Sequence, residues 1–318
     1  MRFSAAVIGL GNIGMGYDYD EPDRVLTHCR AFAAHPGFEL AAAADPDAAA
    51  RQRFMRQYGR PCFASPGELM QHLRPEVFAI GVPTPLHADT LQQLLDARPR
   101  AALCEKPLAH NLPAARGMVE TAAAAGCALA VNYMRRFDPG VSQLKAAIAD
   151  GELGEVYKGT AWYSKGLRHN GTHMIDLLRF LLGEVEAVSL VDRGRLWAGI
   201  DPEPDFRLQF GAAQITVLAA REECFSHFQL ELLASRGRVL YADGGESIQV
   251  SILEGTGSAR LAPQAGRFRA DLGRYQWHVA RALHAHLDHG EALPSDGVSA
   301  LATQETVEKI LSQCETAA

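Results

Sequence analysis

The sequence lacks a long apolar run, a basic cluster and any closely spaced cysteine pair. Its longest low-polarity stretch, 121–134, is broken by Gly126 and Asn132 and is too short to cross a bilayer, so no membrane segment is expected. Lysine and arginine number 31 against 37 acidic residues, for a formal net charge of −6. Without the basic stripe that phosphate backbones require, nucleic acid is not an expected partner. Cys29, Cys62, Cys104, Cys127, Cys224 and Cys314 are scattered with no Cys-x-x-Cys, so neither a zinc ribbon nor a disulfide framework is indicated. Free thiols in a reducing cytoplasm are the expectation. Internal repeats and low-complexity linkers are also missing. The apolar part of the amino terminus is too short for a signal peptide and runs directly into a glycine turn, which makes it a first strand.

What remains is an ordinary globular composition, with 47% hydrophobic and 21% charged residues over 318 positions. That length suits two domains, each with its own core. Ser4 to Gly9 reads as a buried parallel strand that breaks into Gly9-Leu10-Gly11-Asn12-Ile13-Gly14. In Gly-x-Gly-x-x-Gly the first glycine makes the turn, the second admits a pyrophosphate and the third packs helix on strand. A polar insertion from Met15 to Asp23 delays the next helix, which starts near the N-cap candidate Thr27. The second strand, 38–44, ends at Asp45, placed to accept hydrogen bonds from ribose hydroxyls and to repel a 2′-phosphate, which favours NAD over NADP. Asp45 lies 31 residues beyond Gly14, and the insertion accounts for the excess over the usual spacing of about 20.

Strand and helix continue to alternate through strands at 77–82, 101–104 and 127–131, the pattern of a doubly wound parallel sheet. Val82 ends the strand at 77–82, and Pro83, Thr84, His87, Glu105 and Lys106 follow predicted strands, on the edge where such sheets bind ligands. The rhythm changes after residue 131, which places a Rossmann domain at 1–131 and a second domain at 132–318. The second half carries a helix at 139–149, a strand at 155–164 and a helix at 172–182, then strands at 188–191, 206–210, 214–219, 227–233, 238–241 and 248–253, and closing helices at 272–287 and 297–312. That is an α+β domain with a large, mostly antiparallel open sheet. One face of the sheet is a candidate for self-association into a homodimer or homotetramer. The last helix has the option of packing back on the first domain.

The glycine turn, Asp45, Glu105-Lys106-Pro107, the 132–139 block Asn-Tyr-Met-Arg-Arg-Phe-Asp-Pro, Gly171-Thr172-His173-Met174-Ile175-Asp176 and Leu293-Pro294-Ser295-Asp296-Gly297 occur in one order along the chain. In this the sequence resembles the glucose-fructose oxidoreductase / inositol dehydrogenase / MocA family over nearly its whole length. The resemblance implies NAD or NADP bound by the first domain, and a second domain supplying the substrate side of a cleft. It further implies hydride exchange with a hydroxyl-bearing carbon of a sugar, sugar derivative or cyclic polyol, with the redox chemistry supplied by the cofactor.

The resemblance makes Lys106 a catalytic candidate, its amine set against the reacting oxygen, although spacing alone suits a surface lysine before a proline turn. It likewise makes His173, at a helix start, the acid/base. Asp176 lies three residues on, within reach of the same helical face. Where the family carries an aspartate four residues before that histidine, this chain has His169, leaving Asp176, another acid or no residue to orient His173. His169, His173 and Asp176 also have a spacing able to hold zinc, but Gly171 works against the regular helix this needs, and no metal is expected. Arg135, Arg136, Lys165 and Arg168 put positive charge beside the site, compatible with an anionic substrate or with structural ion pairs. Tyr163 is a candidate to stack on a sugar, though a strand tyrosine is more often core. Two other readings of the whole chain stand beside the dehydrogenase: a non-catalytic dinucleotide-binding sensor, and an imine or enone reductase.

Overall fold

The structure, a computed structural model, describes residues 1–255 and 259–316. The chain divides into two compact units, Met1–Phe137 with Gly273–Leu301, and Asp138–Leu272 with Ala302–Ala318.

The first unit contains β1 (Phe3–Ile8), α1 (His28–Ala34), β2 (Phe38–Ala44), α2 (Ala48–Tyr58), β3 (Cys62–Phe63), α3 (Pro66–His72), β4 (Val77–Ile80), α4 (His87–Leu95), β5 (Ala101–Cys104), α5 (Leu112–Ala124) and β6 (Ala128–Val131). The six strands are all parallel in the order β3-β2-β1-β4-β5-β6. The order reverses between β1 and β4, so the switch point lies where the glycine turn leaves β1. Both sheet faces are covered, which is why β4 and β5 are buried at every position. Phe3, Ala5 and Val7 face one core, and Ala6 and Ile8 the other. Helix starts follow side-chain chemistry. Thr27 accepts from Arg30 N–H, Asp47 from Ala49 and Ala50, and Asn111 from Ala114. Ser65 accepts from Glu68 N–H while the Glu68 carboxylate reaches back to Ala64 N–H.

In the second unit are α6 (Pro139–Ala149), β7 (Val156–Tyr163), α7 (Thr172–Leu182), β8 (Ala187–Trp197), β9 (Asp201–Phe210), β10 (Ala213–Ala219), β11 (Gln229–Ala234), β12 (Gly237–Ala242), β13 (Ser247–Leu253) and β14 (Leu261–Pro263). The sheet order is β14-β13-β12-β11-β7-β10-β9-β8, antiparallel except for β7 beside β10. Alternate residues such as Ala161, Tyr163, Phe206, Leu208, Ile215 and Val217 form one core with α6 and α7.

Of the two remaining helices, α8 (Tyr275–His289) belongs to the first unit, where Val279, Ala280 and Leu283 join the core of Phe32 and Phe38. The segment 273–301, counted in the second domain by sequence, is therefore part of the first compact unit. The division runs through α9 (Gly297–Thr316), and Val307 and Ile310 enter the second core.

β8 and β9 are longer than their alternation suggests, because register shifts at Leu190/Asp192 and Asp192/Arg195 break the period. Pro202 and Pro204 also argue against a strand, yet they lie outside the part of β9 that pairs with β10.

Candidate active site

The glycine turn at the end of β1 has a separate physical reason at each glycine. Gly9 has φ +92, and a Cβ there would lie 2.7 Å from the Gly81 carbonyl oxygen. A Cβ on Gly14 would lie 2.0 Å from the Gly9 carbonyl oxygen. Gly11 has nothing within 4 Å of a Cβ, so no protein contact demands glycine there. It leaves an open approach to the backbone, which is what a pyrophosphate uses. The residues after it wind as a π turn, Asn12–Gly16, with the Met15 and Gly16 N–H groups donating to Gly11 O at 2.9 and 3.1 Å. Asn12 is exposed and Ile13 half-buried beside Gly81.

Asp45, directly after β2, binds the turn. Its Oδ2 accepts from Leu10 N–H at 2.6 Å and its Oδ1 from Asp47 N–H at 2.8 Å, while Asp47 caps α2. Each carboxylate oxygen keeps a lone pair for an outside donor. Cradle, open glycine and half-exposed acid fit a dinucleotide: Gly9 to Gly14 would hold its phosphates and Asp45 its ribose.

Lys106 is half-buried directly after β5, and the Lys106–Pro107 bond is cis. Glu105 beside it is buried, with Oε1 2.9 Å from His28 Nε2 and 2.6 Å from Asn132 Nδ2, which donates. Burial pushes the Glu105 carboxyl up in pKa. The hydrogen bond and charge of His28, the Asn132 donor and the charge of Lys106 outweigh it and hold the group below its ordinary value. Val82, half-buried, and Pro83, exposed, begin the turn after β4, and Thr84 opens a short 3₁₀ turn. His87, expected to line the cofactor, is buried at 1% exposure. Its Nε2 lies 3.0 Å from Val82 O, and its Nδ1 lies 3.2 and 3.1 Å from Pro107 O and Leu108 O. It staples the two turns together, and its ring nitrogens face main-chain carbonyls rather than a ligand.

In the second unit a π turn, Gly166–Gly171, leads into α7, and His173 is the second residue of that helix, 8% exposed. Asp176 is fully enclosed and accepts from Thr303 Oγ1 at 2.9 Å, and Arg179 Nη1 donates to the same hydroxyl at 2.6 Å. His169 is exposed, its N–H donating to Asp201 and its ring 5.3 Å from that of Trp197.

The remaining substrate-side candidates are held by the fold. Tyr163 is 0% exposed and its hydroxyl donates to Pro204 O at 2.8 Å, so it is core rather than a sugar platform. Arg135 and Arg136 are buried in the 3₁₀ turn after β6, and Arg136 Nη1 donates to Pro294 O. Lys165 pairs with Glu222 at 3.1 Å, and Arg168 pairs with Glu308.

Two residues that sequence reasoning missed stand out, His28 and Asn132. The available signal was their position, one opening a helix just after its cap and the other directly following a strand.

A family model described as an oxidoreductase family with an NAD-binding Rossmann fold matches residues 3–133. Inositol 2-dehydrogenase of Rhizobium meliloti (strain 1021) is 26% identical over 95% of this chain and 94% of that one. Over residues 3–133 the chain thus matches the glucose-fructose oxidoreductase / inositol dehydrogenase / MocA family. Inositol 2-dehydrogenase of Rubrobacter xylanophilus is 33% identical, but that match spans only 51% of this chain and 44% of that one. A likeness of fold extends over the whole length. Levoglucosan dehydrogenase, solved in complex with NADH and levoglucosan, superposes with a TM-score of 0.85 at 17% identity, covering 100% of this chain and 98% of that one.

Proposed function

We propose that the protein is an NAD-dependent dehydrogenase acting on a CH–OH group of a sugar, sugar derivative or cyclic polyol. The observation that carries this reading is the edge of the parallel sheet, where the open Gly11, the Asp45 carboxylate and Lys106 with its buried Glu105 follow β1, β2 and β5. The inositol and levoglucosan dehydrogenases among the relatives support the substrate class.

Bound NAD would supply the hydride acceptor. Lys106 would hydrogen-bond the reacting oxygen, and His173 would take the hydroxyl proton on its ring nitrogen. The Asp45 carboxylate favours a free ribose hydroxyl over a 2′-phosphate. An anionic group on the substrate is not required by this reading, since Arg136, Lys165 and Arg168 are engaged by Pro294, Glu222 and Glu308, and Arg135 is buried. Assembly as a homodimer or homotetramer is part of the proposal, supported by apolar side chains left open along and after β8, where Val191 is 47%, Leu196 55% and Ile200 81% exposed. A cytoplasmic setting is supported by six unpaired cysteines. Among the described residues no helix is long and apolar enough to cross a membrane.

The test is NAD reduction across a panel of inositols, aldoses and glycosides with wild type, Lys106→Ala and His173→Asn. The expected result is turnover of at least one panel member, with kcat lowered about 10²- to 10⁴-fold in each variant and NAD affinity preserved. Binding of NAD without turnover of any compound would replace this reading with the sensor. NADH oxidation only with an added imine or enone would replace it with the reductase.

A further inference from the structure

The polar group behind Lys106 contains more than the proposed reaction uses. The His28 side chain is 0% exposed and its Nε2 lies 2.9 Å from Glu105 Oε1. Asn132 Nδ2 donates to the same oxygen at 2.6 Å, while the Lys106 backbone N–H points at the other, Oε2, at 3.4 Å. Three elements converge here: His28 opens α1, Glu105 leaves β5 and Asn132 leaves β6. All lie in the first compact unit.

Apolar side chains would fill this volume more cheaply if packing were its only purpose, since a buried carboxylate is tolerated only when its lone pairs are filled. The imidazole is itself one-sided. Its Nδ1 has no hydrogen-bond partner, so the contact with Glu105 is the polar interaction the ring makes. Two other titratable groups, Cys104 and Tyr275, feel this carboxylate, each pushed up in pKa by burial and then by the Glu105 charge, so both stay neutral near pH 7. Lys106, half-buried and next in the chain, is thus the cation whose charge acts on the buried anion that His28 and Asn132 hold.

Building on the dehydrogenase reading, we propose that His28 and Asn132 are positioning residues for Lys106. They clamp Glu105 as a fixed anion, which sets where the Lys106 ammonium points and the pH at which it gives up its proton. Neither residue needs to touch cofactor or substrate for this.

The experiment follows acetylation of Lys106 by acetic anhydride against pH in the cofactor-free protein, read by peptide mass spectrometry. It compares wild type, His28→Leu, His28→Gln and Asn132→Leu. Without the His28 donor, burial raises the Glu105 carboxyl toward its neutral form and the counter-charge weakens, so the labelling midpoint of His28→Leu should move down by about half a pH unit or more. Glutamine places an amide N–H near the position of Nε2 and should restore most of the shift. With NAD and a substrate that turns over, kcat of His28→Leu should fall about 10- to 100-fold with the KM for NAD within about threefold, and His28→Gln should recover most of that loss. A folded His28→Leu protein with the wild-type Lys106 midpoint would overturn the proposal. If that variant does not fold, Asn132→Leu carries the same measurement, and an unchanged midpoint there overturns it equally. The labelling needs neither NAD nor substrate. A wild-type protein that turns over nothing therefore counts against the dehydrogenase reading alone, while the midpoint still decides the clamp.

Discussion

An alanine at position 11 would place its methyl group where the protein has no atom within 4 Å. The Gly11 backbone, φ −68 and ψ −159, sits at the margin of the extended region open to any residue, so the substitution is free of left-handed strain. Folding should not suffer. Where native backbone angles tolerate it, Gly→Ala restricts the unfolded chain and stabilises by about 0.4–1 kcal/mol. The methyl does, however, occupy the approach that a pyrophosphate needs to reach the N–H groups at the start of the turn. Losing one charge-assisted hydrogen bond costs about 1.5–3 kcal/mol, which is about a 10- to 100-fold rise in the Kd for NAD.

Gly14→Ala is the contrasting variant, since its methyl would fall 2.0 Å from the Gly9 carbonyl oxygen, a main-chain atom that cannot step aside. It should fail in folding before binding is reached. Calorimetric titration with NAD and thermal unfolding of both proteins check the pair. A Gly11→Ala protein that keeps wild-type Tm and wild-type NAD affinity would refute the assignment of this turn as the phosphate site.

Three further outcomes are expected. Asp45→Asn keeps an oxygen for Leu10 N–H but removes the charge, so the ratio of kcat/KM for NAD over NADP should fall about tenfold, and an unchanged ratio would remove Asp45 from cofactor choice. Tyr163→Phe leaves the Pro204 carbonyl without its buried donor, so urea unfolding should show a loss of about 1–2 kcal/mol with kcat and KM unchanged; a kinetic effect without a stability loss would return Tyr163 to the site. His35 is lowered from 6.5 to about 4, by burial first and then by the charges of His284 and Arg281. The folded ring takes up a proton less readily than the unfolded one, so this stability is complete above pH 6.5 and is lost as pH falls toward 4. The ideal linkage of about 3 kcal/mol is discounted to about 1–2 kcal/mol for partial solvation, and the pH 7 to 4.5 loss in urea unfolding should shrink by that amount in His35→Leu.

The parallel sheet was legible because its strands are short apolar runs ended by residues with their own backbone or capping preferences. Gly9 ends β1, Asp45 follows β2 and Glu105 follows β5. The same rule placed Lys106 and the glycines on one edge. What residue type does not reveal is direction and commitment. Arg135 and Arg136 look like anion binders in sequence, but their 3₁₀ turn carries them inward and Arg136 binds a carbonyl. His87 and Tyr163 carry the right atoms for a site, and the fold uses those atoms on Val82, Pro107, Leu108 and Pro204. His28 was missed for the converse reason: its partner, Glu105, is 77 residues away and no local pattern links the two.

The insertion between the glycine turn and α1 explains how that distant pairing survives. Extra residues after Gly16 would be expected to displace α1, and with it His28, from the sheet edge. Asp18 prevents this from inside the loop. It is 0% exposed and accepts from Leu26 N–H at 2.7 Å, Thr27 N–H at 2.9 Å and Thr27 Oγ1 at 2.8 Å, with Arg30 paired to it at 3.4 Å. One buried carboxylate thus folds the insertion back on the start of the helix, and the cap residue Thr27 both receives the Arg30 N–H and donates to Asp18. The loop tip carries Tyr17 and Tyr19 outward, while its base fixes the helix start one residue before His28. The added length is absorbed at the surface, and the geometry from His28 to Glu105 to Lys106 stays tied to the sheet rather than to the loop.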